Sequence, residues 1–295
     1  MEPLNEEIAR KLTSRWLGKQ LHYYQDLDST NRMAQELARQ GAAEGTVVVA
    51  ERQLSGRGRQ GRAWHSPAGV GLYSSLILRP ALPPNQVQLL TLAVAVAVAR
   101  AISAQTLLSP KIKWPNDILI SEKKVAGILT EAEAVAERIA HVVVGVGINV
   151  NHTAAELGRD LEALATSLRL ELGRSVERSA LAAHLFVEVE TWYERLKGRD
   201  SSGMLDEWRR HAATLGRRVR VFLGQTTVEG TALDVTNEGA LLVERGDGSR
   251  TVVHSGDVEH LRLVGGGSGA GWAKQAPRAE GGAPGRDIHF GRRDG

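Results

Sequence analysis

Between Gly56 and Arg62 the chain reads Gly-Arg-Gly-Arg-Gln-Gly-Arg. Closely spaced guanidinium groups on a glycine-freed backbone can surround an anion with charge-assisted, bidentate hydrogen bonds. The letters also satisfy the G-x-G-x-x-G dinucleotide fingerprint. That fingerprint must open a helix whose N-terminus holds the pyrophosphate. Here Ala63-Trp64-His65-Ser66-Pro67-Ala68-Gly69 follows, and its Pro and Gly argue against a helix. A flexible loop around a phosphate chain is expected instead. On these residues alone, a solvated basic loop or an Arg-Gly RNA-binding patch stays open.

Four further segments carry polar groups where chemistry could use them. Lys113-Trp114-Pro115-Asn116-Asp117 ends a strand. Pro115 keeps Trp114 extended, and Asn116-Asp117 suits a turn. An ordinary turn over a buried Trp reads equally well. In Lys123-Lys124-Val125-Ala126-Gly127-Ile128-Leu129-Thr130-Glu131, small Ala126 and Gly127 admit close approach, and Lys124 could be a fixed point charge, although a solvated turn is the favoured reading of a lone lysine. In Gly145-Val146-Gly147-Ile148-Asn149-Val150, two glycines weaken a strand unless something must come near, and Asn149 falls at its end. Asp28-Ser29-Thr30-Asn31 precedes a helix, where Ser29 or Thr30 would cap or, more sharply, help bind a small polar ligand.

Other chemistries are excluded. The chain has no cysteine, so disulfides, thiolate nucleophiles and Cys-rich zinc sites are out. No P-loop, H-E-x-x-H or G-x-S-x-G motif occurs, and the nine histidines are scattered; no metal site is expected. Positioning and electrostatics therefore fit better than a covalent enzyme intermediate. Lys+Arg is 37 against Asp+Glu 34, a formal charge of +3, so the pI of 9.3 speaks only weakly for nucleic acid. The start mixes charges with scattered apolar residues and does not read as a signal peptide. The most apolar run, Leu89–Ala99, is shorter than the about 20 residues of a membrane span and reads as a core helix. A cytoplasmic protein without membrane contact is expected.

The elements that must position these groups follow from periodicity. Helices are expected at 31–40, 86–103, 178–197 and 202–215, and strands at 46–50, 71–78, around 112, at 125–130 and at 141–150. Strands cluster early and do not alternate regularly with helices, which favours α+β with a mixed sheet over a doubly wound fold. Residues 1–215 form the body. Residues 216–264 hold short β-like runs separated by turn signals, suiting a small β-barrel. Residues 265–295 contain 10 of the 32 glycines and are expected to be disordered.

The order of the segments says more than any one of them. DSTN, GRGRQGR-x-W, KWPNDI, KKVAGIL and GVGINV resemble the signature series of biotin protein ligases, from about Tyr24 to Val264, and Ala165-Thr166-Ser167-Leu168 also fits. The resemblance implies a biotin/lipoate-ligase-like catalytic domain closed by an SH3-like domain. It implies two steps: biotin and Mg-ATP give biotinyl-5'-AMP, whose acyl group passes to a lysine of a biotin carboxyl carrier domain. Carried over, Lys124 and Arg59 are the catalytic residues. Ser29, Thr30, Asn31, Gln53, Arg57, Gly58, Arg59 and Lys124 contact biotin. Arg59, Arg62, Trp64, Asn116 and Asn149 lie on the nucleotide side. Biotin, ATP and Mg2+ are the small molecules implied, a carboxylase carrier the partner, and a homodimer is allowed.

About 20 residues precede the resemblance, too few for the winged helix with which some members repress transcription, so no DNA partner is expected. A lipoate or octanoate ligase is the alternative enzyme, against which KWPND and GRGRQGR argue. An RNA-binding protein would leave KWPND and GVGINV unexplained.

Overall fold

A computed structural model of the chain describes residues 3–135, 138–158, 161, 163–198 and 200–261. The first half runs α1 (Leu4–Lys11), β1 (Leu21–Leu27), α2 (Thr30–Arg39), β2 (Val47–Gln53), β3 (Gly71–Leu78), α3 (Val87–Thr106), β4 (Lys111–Lys113), β5 (Asp117–Ile120), β6 (Lys123–Val135) and β7 (Arg138–Asn149). Then come α4 (Ala154–Leu157), α5 (Leu168–Leu172), α6 (Arg178–Lys197), α7 (Ser201–His211), β8 (Arg218–Leu223), β9 (Thr226–Val235), β10 (Leu241–Glu244), β11 (Arg250–Val253) and β12 (Asp257–His260).

The first seven strands form a mixed sheet in the order β1-β2-β3-β7-β6-β5-β4. β1 runs parallel to β2 and every other neighbouring pair is antiparallel. The expected α+β mixed sheet is borne out. Side chains alternate between faces along a strand. Val47, Val49, Leu76, Leu78, Val142 and Val144 enter the main core with α3 and α6. Their neighbours Val48, Ile77 and Val143 pack on Ala34 and Ala38 of α2. The two helical layers thus take opposite faces.

α3 is apolar all round, as an enclosed helix must be. Its length and composition would also suit a membrane span, but Leu89 through Ala99 are buried within the fold. The last five strands form an antiparallel sheet in the order β11-β10-β9-β8-β12. Val219, Val221, Ala232 and Leu241 from it share one cluster with α3. Trp114 joins the two sheets: its backbone N–H donates to Thr214 Oγ1 (3.0 Å) and its indole N–H to Gly239 O (3.0 Å). The Trp114–Pro115 bond is cis and lies in the turn between β4 and β5.

The structure departs from expectation in several places; β5, α4 and α5 were not expected, and β6 runs to Val135, five residues past the expected 130. The helix expected over 202–215 ends at His211. Ala212 bridges to Ile112, and Ala213 N–H donates to Ile112 O (2.7 Å), so sheet pairing overrides helix propensity there. β2 continues three residues beyond the expected Ala50, to Gln53. α1 and β1 were not expected; β1 is an edge strand whose polar residues mask the alternation. Ser29 stands at the N-cap of α2 without a side-chain cap bond; the nearby polar groups are engaged elsewhere, as described next. The tail at 265–295 lies outside the described residues.

Candidate active site

The floor is built from three strands in register. Tyr73, Gly147 and Gly127 form one cross-strand row, Ser75, Gly145 and Leu129 the next, and Ile77, Val143 and Glu131 a third. The glycines make a trough, and side chains of this chain lie over it. A Cβ on Gly147 would stand 2.6 Å from the Trp64 indole. One on Gly127 would stand 3.1 Å from both Trp64 and Lys124 Nζ, and one on Gly145 would stand 2.0 Å from Asn31 Oδ1. Such approaches exclude any side chain without movement of the partner. The Trp64 Nε1 atom is buried and has no hydrogen-bond partner.

The start of α2 closes one end. Gln53 Oε1 accepts from the Thr30 backbone N–H (2.9 Å) and hydroxyl (3.1 Å), while Gln53 Nε2 donates to Ser66 Oγ (2.9 Å). Ser75 Oγ donates to Asn31 Oδ1 (2.6 Å), and Asn31 Nδ2 donates to Leu129 O (3.2 Å) and Glu131 Oε2 (2.8 Å). Both ends of the Asn31 amide are therefore held within the fold. Ser29, Thr30 and Asn31 are all buried.

The arginine loop lies across this floor. Gly58 N–H donates to Arg62 O (2.7 Å), and Trp64 N–H to Gly56 O (2.9 Å). Only a single 3-10 turn, Arg59–Gly61, occurs, with Gln60 at φ 55°; the helix that a dinucleotide fingerprint needs is absent here. A Cβ on Gly56 would stand 2.3 Å from Trp64 O, so this glycine is needed for backbone packing.

The cations face carboxylates. Arg57 Nη2 lies 2.9 Å from Glu131 Oε1, Arg62 Nη2 lies 2.6 Å from Asp257 Oδ2, and Lys124 Nζ lies 2.6 Å from Asp117 Oδ1. Arg59 Nη1 donates to Asn116 Oδ1 (3.1 Å) and Gly256 O (3.2 Å). Burial draws the Arg59 guanidinium below its ordinary range, with Asp257 and Asp117 opposing. Burial likewise lowers Lys113, against the pull of Asp117. Lys124 Nζ also sits 5.3 Å from the Trp64 ring centroid, within cation–π reach.

Asn116 and Asn149 act through the backbone. Asn116 Nδ2 donates to Ile128 O (3.0 Å), and Asn149 Nδ2 to Thr166 O (3.1 Å). The 165–167 segment runs beside Lys124, whose N–H donates to Leu164 O (2.8 Å) and whose O accepts from Thr166 N–H (2.9 Å). A cavity of about 260 Å³ opens there, lined by Lys123, Ala154, Leu157, Ala165, Thr166 and Glu171 among others. Among the described residues, no group of three or more His, Asp or Glu side chains is placed to hold a metal ion.

Residues 23–149 match the model of the biotin/lipoate A/B protein ligase family, and 214–261 match the biotin protein ligase C-terminal domain. The chain is 39% identical over 253 residues to the bifunctional ligase/repressor BirA of Bacillus subtilis, covering 86% of this chain and 78% of that one. The chain belongs to the biotin protein ligases. It is also 37% identical over 270 residues to the biotin–[acetyl-CoA-carboxylase] ligase of Mycobacterium tuberculosis, covering 88% of this chain and 97% of that one. Among solved structures, the biotin protein ligase of Aquifex aeolicus in complex with biotin and ATP superposes with a TM-score of 0.70 at 28% identity, covering 83% of this chain and all (100%) of that one.

In this biotin protein ligase Thr30, Asn31, Arg57, Trp64 and Lys124 meet around the glycine trough, whereas Arg62 pairs with Asp257 of the second sheet and Asn149 bonds the 165–167 segment. Asp257 and Ser75 join them and were missed; Asp117, Glu131 and Ser66, which stand in the quoted segments, join them too without having been given a site role. Strand alternation from Gly127 could have flagged Glu131, since the two lie on one face. Asp257 is distant in sequence from its loop partners and gives no local signal.

Proposed function

We infer that this chain activates biotin with ATP and transfers it to a lysine of a biotin carboxyl carrier domain. A biotin carboxylate oxygen attacks the α-phosphorus of ATP. The bond from that phosphorus to the bridging oxygen breaks, and pyrophosphate leaves. The carrier lysine amine then attacks the acyl carbon of biotinyl-5'-AMP, loses a proton and expels AMP. The observation that carries this reading is the seating of Trp64 and Lys124 over the Gly127–Gly147 pair beneath the arginine loop. There a narrow apolar floor, an unpaired indole N–H and several cations lie within one site.

Both reactants are anions, so their repulsion must be screened. Holding them together in a fixed geometry supplies a large effective concentration. Preorganised cations stabilise the charge that builds on the phosphate. In this reading Lys124 and Arg59 face the reacting carboxylate and phosphate. Ser29, Thr30, Gln53, Arg57 and Gly58 line the biotin side. Asn31 belongs to that side as the clamp that sets Thr30 and Ser75. Arg62, Trp64, Asn116 and Asn149 serve the nucleotide side, where the cavity beside Thr166 suits a base. Magnesium enters with the nucleotide as its counter-ion. Residues 1–215 carry this chemistry, and 216–264 serve as the SH3-like closing module, which presents Asp257 to the loop. The outer edge of β6 from Leu129 to Val135, beyond its pairing with β5, suits a carrier domain or a second copy adding a strand.

ATP–pyrophosphate exchange with biotin, lipoate and octanoate tests the reading. Exchange driven by biotin supports it. Exchange driven by lipoate or octanoate but not by biotin overturns it.

A further inference from the structure

We propose that Glu131 is a positioning residue: it tethers the biotin-side half of the arginine loop through Arg57 and is itself held in place by Asn31. The proposal rests on the functional reading above and assigns a role to a residue outside the set taken from the resemblance.

Glu131 lies on β6, in register with Val143, one row beyond Ser75, Gly145 and Leu129. It therefore stands at the end of the glycine trough and on the same face. Its carboxylate has two kinds of partner. Oε2 accepts from Asn31 Nδ2 (2.8 Å), which orients it from below. Arg57 then meets it at both oxygens: Nη1 donates to Oε2 (3.3 Å), and Nη2 lies in ion-pair contact with Oε1 at 2.9 Å. Two contacts from one planar guanidinium limit its direction as well as its distance. The Glu131 side chain is 25% exposed and that of Arg57 45%. An isolated pair this open would be weak, but here the carboxylate is immobilised by a buried amide before the arginine arrives. The order of contacts runs from Ser75 to Asn31 to Glu131 to Arg57, from the sheet interior to the loop.

The other half of the loop has its own anchor. Arg62 pairs with Asp257 and Arg59 bonds Gly256 O and Asn116. The loop is thus pinned at two points on different elements, and the Glu131 pin lies nearest the start of α2. Loss of that pin should loosen Gly56–Gly58 over the biotin side while leaving the nucleotide side in place.

The test compares wild type, Glu131→Gln, Arg57→Gln and the double variant as full chains. Gln retains an acceptor for Asn31 and removes the charge. We expect the KM for biotin in pyrophosphate exchange to rise about three- to tenfold in Glu131→Gln, with the KM for ATP and the Tm nearly unchanged. The double variant should be no worse than the worse single one, because both residues act in one contact. In the absence of ligand, trypsin cleavage after Arg57, mapped by mass spectrometry, should quicken at least threefold in Glu131→Gln while cleavage after Arg62 stays unchanged. An unchanged biotin KM, additive effects, or equal rises in both KM values with a lowered Tm would overturn the proposal. Absence of exchange with biotin in the wild-type chain would overturn the functional reading instead; the trypsin comparison would then decide the tether by itself.

Discussion

The indole of Trp64 lies so close over Gly147 that a Cβ at that position would stand 2.6 Å from it. Gly147 pairs in register with Gly127, and Lys124 Nζ completes the group 5.3 Å from the ring centroid. A strand glycine has no conformational need at this point. What it supplies is space, and the space holds the aromatic side chain that follows the arginine loop.

Gly147→Ala is accordingly expected to displace Trp64. Overpacking of this kind destabilises by about 1–3 kcal/mol, and biotin binding should fall with it. Denaturant unfolding and biotin titration check this; unchanged values in both would show that the indole yields freely.

Lys124→Ala should lower biotinyl-AMP formation by ~10²–10³, the scale for removing one preorganised charge from a transition state. The fold should survive, since the lysine is partly exposed (31%). Near-normal pyrophosphate exchange in a folded variant would refute the role.

Arg59→Ala removes contacts to Asn116 Oδ1 and Gly256 O. Retention of the adenylate should weaken, and escaped biotinyl-AMP should biotinylate bystander proteins without selectivity. Incubation with an unrelated lysine-rich protein reads this directly. Unchanged adenylate retention and unchanged selectivity would count against the loop as a cover.

Acid should destabilise the fold in a defined window. Burial lowers His152 to about 4, with Glu156 opposing, and lowers His260 to about 4, aided by Lys113 and Arg217. Each is neutral in the fold and takes a proton more readily when unfolded. Their stabilising contribution is therefore present above about 6.5 and is lost as pH falls toward 4. Glu190 accepts from Arg15, Trp16 and Leu17 N–H groups and is held below the usual carboxylate range despite burial, so its contribution is lost at still lower pH. Denaturant midpoints from pH 7 to 4 should fall steadily, and His152→Gln should flatten the slope. An equal slope in that variant would remove His152 from the account.

Much of this was legible in the residues. The enclosed character of α3, the strands 71–78 and 141–150 and the helix 178–197 follow from hydrophobic runs and periodicity. The arginine loop and Lys124 were visible as cations that could serve an anion, with a solvated loop or turn still open for each on its own residues. What sequence could not give was the counter-charge. Asp257 reaches Arg62 across most of the chain, and no local pattern encodes such a pairing. The glycines of GVGINV were read correctly as a demand for closeness, yet which groups come close, Asn31 and Trp64, depends on the docking of two distant segments. A buried Trp114 was one open reading, but its partners Thr214 and Gly239 were hidden because they lie about a hundred residues away or more.

The facing of Arg57, Arg62 and Lys124 by Glu131, Asp257 and Asp117 has a kinetic corollary. These ion pairs are closed before any substrate arrives, so the cluster projects little field beyond a Debye length of about 8 Å at physiological ionic strength. Long-range attraction would then add little to the capture of biotin or the nucleotide, and association rates should change only modestly with added salt. An entering anion is selected at short range, where shape and hydrogen-bond geometry beside the closed pairs decide which anion can be held.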